Sequence, residues 1–141
     1  MSSEQDDLSN LPYKSIEHMI TYEDKIWYRY LKLSGYSVFK KDYLGCVVER
    51  KDCQKVGFYI YASKKSKGPF LYLDLSEYSS VEEKKHVFNC HNAWYFEITS
   101  RWNDPTEVFG AKTDYYRTEW IRVFRQAIKK ASAGVSAEYI R

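Results

Sequence analysis

One feature limits the folds open to this chain more than any other: its hydrophobic period switches from two to 3.6 near residue 113. Upstream, short alternating runs are cut by turn residues. From Lys25 onward, Ile26, Tyr28, Tyr30 and Lys32 alternate with Trp27, Arg29, Leu31 and Leu33 until Ser34-Gly35 ends the run. The same pattern predicts further strands over 43–49, 56–62, 70–75, 87–90, 94–100 and 107–111. Polar stretches separate them, among them Gly68-Pro69 and Asn103-Asp104-Pro105. Downstream, Trp120, Val123, Phe124, Ala127, Ile128 and Ala131 recur at three and four, the spacing of one amphipathic helix face. That helix is predicted over 114–131, capped by Thr113 or Asp114, with Gly134 just past its end. Seven short strands followed by one helix predict a mainly β domain: an antiparallel barrel with the helix plugging an open end.

The rest of the chain sets the boundaries. Its 141 residues fit one domain, and 18% aromatic content favours strands. Residues 1–24 read as an N-terminal segment, partly flexible, with a short helix near 12–20 that places Ile16, Met19 and Ile20 on one face. The domain proper spans 25–132, and 133–141 is a tail. Cys46, Cys53 and Cys90 are odd in number and widely spaced, which argues against a disulfide framework and for a reducing, cytoplasmic setting. His86, Cys90 and His91, taken with Cys46 or Cys53, match no zinc spacing, so no metal or cofactor is expected. The chain lacks a glycine-rich phosphate loop, a nucleophile elbow and a carboxylate pair of catalytic type, and is not expected to be an enzyme. No apolar run reaches the ~20 residues of a membrane span, the leader is acidic rather than secretory, and Ser2 stands where myristoylation needs glycine.

Charge is unevenly spread. Residues 1–24 carry six acids and the single base Lys14, whereas 32–67 carry nine bases against Asp42, Glu49 and Asp52. That asymmetry points to an anionic partner for the middle of the chain, while a net charge of +3 is modest for a nucleic-acid binder.

Three segments carry a family resemblance: Trp94-Tyr95-Phe96-Glu97-Ile98-Thr99, then Val108-Phe109-Gly110-Ala111-Lys112-Thr113, then Arg117-Thr118-Glu119-Trp120-Ile121-Arg122-Val123-Phe124. Their order resembles the sixth strand, seventh strand and helix of pleckstrin-homology domains, with Trp120 at the family's helix tryptophan. Gly68 to Leu75 resembles the fourth strand after a lysine-rich loop. The resemblance covers about residues 27–132. It implies two orthogonal antiparallel sheets forming a barrel capped by the helix, and a monomeric binding module for lipid or protein.

In lipid-binding members, a lysine late in the first strand and a basic pair entering the second grip headgroup phosphates. Lys32 matches the first by position, and Lys40 and Lys41 fall where the pair belongs. Asp42 or Phe39, depending on register, occupies a place where a base is expected, so no guanidinium fork is present. Lysine alone suits a phosphate monoester such as phosphatidic acid, delocalised attraction to anionic lipid, or a phosphoinositide without stereospecific grip. Lys64, Lys65 and Lys67 belong to the next loop at the same end, with Arg101 and Trp102 near it. Tyr36, Val38 and Phe39, set among the bases, are the candidates for membrane insertion. The expectation is peripheral membrane association through anionic lipid. Two alternatives stay open: packing aromatics with solvated lysines, and a peptide- or protein-binding module using strand addition or the groove beside the helix.

Overall fold

Ser34 (φ 50°) and Gly35 (φ 86°) both take positive φ, the requirement of a two-residue type I′ hairpin turn that matches the twist of its strands. They join β1 (Ile20–Leu33) to β2 (Tyr36–Arg50), which pair from Leu33↔Tyr36 back to Ile20↔Val48. The structure, a computed structural model, describes residues 8–51, 53–87, 92–102 and 106–140, with side chains described through residue 133. β3 (Lys55–Tyr61), β4 (Leu71–Asp74), β5 (Tyr78–Lys84), β6 (Trp94–Ser100) and β7 (Thr106–Ala111) follow. A one-turn helix α1 (Tyr13–Ile16) precedes β1, and α2 (Asp114–Ile140) closes the chain. Thr113 Oγ1 accepts from Tyr116 N at 3.2 Å, capping α2, which continues through Gly134 instead of ending near 131.

All seven strands form one antiparallel sheet in the order β4-β3-β2-β1-β7-β6-β5. Its edge strands are consecutive in the chain, linked only by a 3-10 turn at Leu75–Glu77. Edges six spacings apart in a flat sheet would lie about 29 Å from each other. A three-residue link reaches about 14 Å. The sheet therefore curls, although no described β4–β5 pairing closes it. Bulges supply the bend. Between Ile26↔Tyr43 and Tyr28↔Lys40, β2 holds one extra residue, and Asp42 there takes φ 56°.

The main core fills the concave side. Trp120 is fully buried, meets Tyr22, Phe58 and Phe124 ring to ring, and donates Nε1–H to the Lys25 carbonyl at 3.0 Å. Gly45 is needed beneath it: a Cβ there would lie 3.0 Å from the Trp120 ring and 3.0 Å from Ile26 Cγ2. A second cluster lies on the convex side, where Tyr13 and Ile16 of α1 cover Cys46, Val48, Tyr59 and Tyr61. Tyr59 and Tyr61 hydroxyls donate to the Leu8 and Leu11 carbonyls, both at 2.7 Å. Residues 8–19 are thus folded onto the sheet.

Two expectations are corrected. The fifth strand of the sheet lies at Tyr78–Lys84, where none was expected; of the strand expected at 87–90, Val87 is irregular and 88–90 lie outside the described residues. A bulge after Tyr78 places Tyr78 and Val81, three residues apart, both in the core, so the strand lacks a clean period of two. Residues 36–42 belong to β2 and are not a loop, because the tight turn lets Tyr36 pair with Leu33 at once.

Candidate functional site

β1 and β3 both run antiparallel to β2, so the turn after β1 and the loop after β3 leave the sheet at the same end. β3 pairs with β2 only as far as Tyr61↔Leu44, and β7 meets β1 only at Trp27 and Tyr28. Past those points, Arg29–Leu33 and their partners continue as a two-stranded arm about 17 Å long. At its tip the apolar side chains stay half open: Leu33 is 57% exposed and Leu31 42%.

Lys32, exposed, stands between those two leucines on the opposite face of the strand. Lys40 Nζ lies 4.8 Å from the Tyr30 ring centroid and 5.6 Å from that of Phe70. Phe70 also meets the rings of Tyr28, Tyr30 and Tyr43, which pins the end of the 62–70 loop against the arm. Lys41 diverges from Lys40: neighbours on a strand face opposite ways, and Lys41 Nζ sits 5.3 Å from the Trp27 ring on the convex side. Asp42 beside it accepts from Trp27 Nε1 at 3.3 Å and faces Lys112 at 3.9 Å.

In the 62–70 loop, Ser63 and Ser66 fix a turn through Ser66 N to the Ser63 carbonyl (3.1 Å) and Ser63 N to Ser66 Oγ (3.1 Å). Tyr13 N donates to the Ser66 carbonyl at 3.2 Å, tying the loop to α1. Lys64 pairs with Glu23 at 3.6 Å, while Lys65 and Lys67 are exposed.

Four candidates sit otherwise than expected. Phe39 is buried against Trp27 and Tyr95, so its ring is not available to a bilayer; the bulges that bend β2 turn it into a third cluster, with Trp27, Tyr95 and Val108. Tyr36 and Val38 are half-buried. Arg101 points away from the arm, donating Nε–H to the Ser76 carbonyl at 2.6 Å and an Nη2–H to Ser132 Oγ, which fastens the β6–β7 turn to α2. The exposed apolar groups among the lysines are Tyr30, Leu31, Leu33 and Phe70. A sequence signal for them existed: Trp27 to Leu33 is apolar on both strand faces, more than one covered face requires.

Among the described residues, no three His, Cys, Asp or Glu side chains converge as a metal site would require; Cys90 and His91 lie outside them. No described helix is long and apolar enough to cross a membrane. Compared with known proteins, the chain matches no family model and no curated sequence.

Proposed function

We propose that this chain is a pleckstrin-homology-like module, its curled sheet forming the barrel, that docks on anionic membrane through the β1–β2 arm and the adjoining lysine loop. The observation that carries the reading is the arm's tip. Leu31 and Leu33 stand exposed on one strand beside Lys32, with Lys40, Lys65 and Lys67 behind them. Exposed leucines at the far point of a cationic surface fit the headgroup–acyl boundary, where apolar tips bury and lysine heads stay with phosphate. The half-covered Phe70 and Tyr30 rings hold Lys40 in place, which lowers the ordering cost of its contact with lipid. The missing guanidinium fork leaves the headgroup read as charge, not as stereochemistry. The strand order β4-β3-β2-β1-β7-β6-β5, the curl and the buried Trp120 support the barrel reading.

The test is cosedimentation with vesicles of phosphatidic acid, of mono- and polyphosphorylated phosphoinositides, and of neutral lipid. Binding to all anionic vesicles, falling steeply with salt, is expected. Each lysine near an anionic surface contributes about 1 kcal/mol, so Lys40→Glu with Lys41→Glu, which removes two attractions and adds two repulsions, weakens binding by at least ~100-fold. Retention on neutral vesicles, or no binding to any anionic vesicle, refutes the reading.

A further inference from the structure

At the other end of β1 the sheet leaves a second feature that the membrane reading does not use. β7 pairs with β1 only at Trp27 and Tyr28, so from Ile20 to Ile26 that edge of β1 has no described strand beside it. α2 stands across from it and reaches it through Trp120. Trp120 occupies the Lys25 carbonyl, and ten residues further on Lys130 lines the same cleft as Thr21. Four strand residues span about 13 Å and ten helical residues about 15 Å, so strand and helix run side by side over this stretch. Between them a narrow lobe of about 220 Å³ is walled by Thr21 and Tyr22 on the strand and by Arg122, Gln126 and Lys130 on the helix. It shares Thr21, Glu49 and Lys130 with a wider lobe of about 770 Å³ that reaches Arg50 and Lys51.

The walls of the two lobes are cationic: Arg50, Lys51, Arg122 and Lys130 face a single carboxylate, Glu49. Glu49 pairs with Lys130 at 2.9 Å, and Glu119 holds Arg122 at 2.8 Å. Each of those pairs uses part of its cation's donors, since an ammonium carries three and a guanidinium five. Arg122, Gln126 and Lys130 are spaced by four and share one helix face, so Arg122 and Lys130 stand about 12 Å apart along the axis. An extended chain covers that distance in four residues, about 13 Å. The groove thus offers a strand edge for backbone pairing and two cations in register with acids placed four residues apart on the same face of an added strand.

We propose that this groove docks an extended acidic segment of a partner protein, with acids at positions i and i+4 reaching Arg122 and Lys130 and later acids reaching Arg50 and Lys51. The β5 edge beside α2 is engaged nearer its middle, whereas on β1 the Trp120 bond holds only Lys25, at the end of the Ile20–Ile26 stretch. Arg125 donates from Nε (3.2 Å) and Nη2 (2.8 Å) to the Val81 carbonyl of β5, which occupies the acceptor an incoming strand would need. Because the groove and the arm lie at opposite ends of β1, both can be occupied together.

The probe is a fluorescein-labelled decapeptide of alternating glutamate and threonine, followed by anisotropy on the full chain at low salt. Saturable binding is expected. Arg122→Glu with Lys130→Glu, on side chains 50% and 62% exposed, weakens it at least tenfold with the circular dichroism unchanged. Lys40→Glu with Lys41→Glu changes it less than twofold, which separates this site from the proposed membrane end. Amide shift perturbations are expected over Ile20–Glu23 and along α2 from Arg122 to Lys130. The proposal is overturned by no peptide binding at low salt, by binding indifferent to the Arg122/Lys130 pair, or by amide shifts centred on the arm. Inositol hexakisphosphate shifting these same amides while the peptide does not would also overturn it.

Discussion

Replacing both arm leucines with serine separates apolar insertion from charge attraction. Fully burying a leucine side chain is worth about 2 kcal/mol. Leu33 keeps 57% of its surface in water and Leu31 keeps 42%. Insertion can therefore gain ~1 kcal/mol from Leu33 and slightly less from Leu31, ~2 kcal/mol together. Leu31→Ser with Leu33→Ser should weaken binding to anionic vesicles by about 25-fold, since 1.4 kcal/mol is tenfold. Folding should lose at most ~2 kcal/mol, because the covered part of each side chain gives up its burial as well. The slope of log affinity against log salt should also be unchanged, because no charge is removed. Vesicle titration at several ionic strengths, with a denaturation curve for each variant, reads all three quantities. Unchanged affinity would mean that the tip stays in water. An altered salt slope would mean that the leucines position the lysines and do not insert, and the reasoning would fail.

Two further outcomes test the fold. Gly45→Ala must push on Trp120, Ile26 and Phe58, all fully buried, and overpacking of that kind costs ~1–3 kcal/mol against a chain-entropy gain of ~0.5 kcal/mol. The urea midpoint should drop with an unchanged m-value, and Trp120→Phe in the same chain should shrink the penalty; a neutral Gly45→Ala would contradict the packing. Stability should be level below about pH 9 and fall above it. Burial pushes Tyr22, Tyr59 and Tyr78 from 10.0 up to about 12, and burial, then Glu23, pushes Cys46 from 9.0 to about 12. These groups are held neutral in the fold, so their contribution is complete below the unfolded values and is lost as pH rises through the raised ones. Denaturant midpoints across alkaline pH measure it, and a stability that stayed level past pH 12 would refute it.

The strands with one clean inward face were legible in the sequence, as was the helix. Trp94–Ser100 and the stripe from Trp120 to Ala131 show their periods directly, because each packs one regular face on the core. β5 was missed because its bulge brings Tyr78 and Val81 inward at a spacing of three, and Glu82-Glu83 between solvent and helix reads as a charged turn. β2 was started too late because Tyr36 to Asp42 is polar enough to look like loop, although a two-residue turn permits immediate pairing. The lysines were found by charge and, for Lys32, Lys40 and Lys41, by their place in the family resemblance. What charge could not supply was direction: strand alternation sends Lys40 and Lys41 to opposite faces, and Arg101 is turned toward Ser132 by contacts that no sequence spacing encodes. Phe39 is buried and Leu33 exposed for the same reason, since burial depends on which face the bulges turn inward.

The most direct test of the membrane proposal is paramagnetic broadening of backbone amides on anionic nanodiscs carrying a nitroxide-labelled lipid. The account predicts broadening centred on Tyr30 to Gly35, weaker at Lys65 to Phe70, and absent along α2 from Arg122 to Lys130. Broadening centred on the helix or on Arg50 and Lys51, with the arm sharp while the protein is bound, would contradict it.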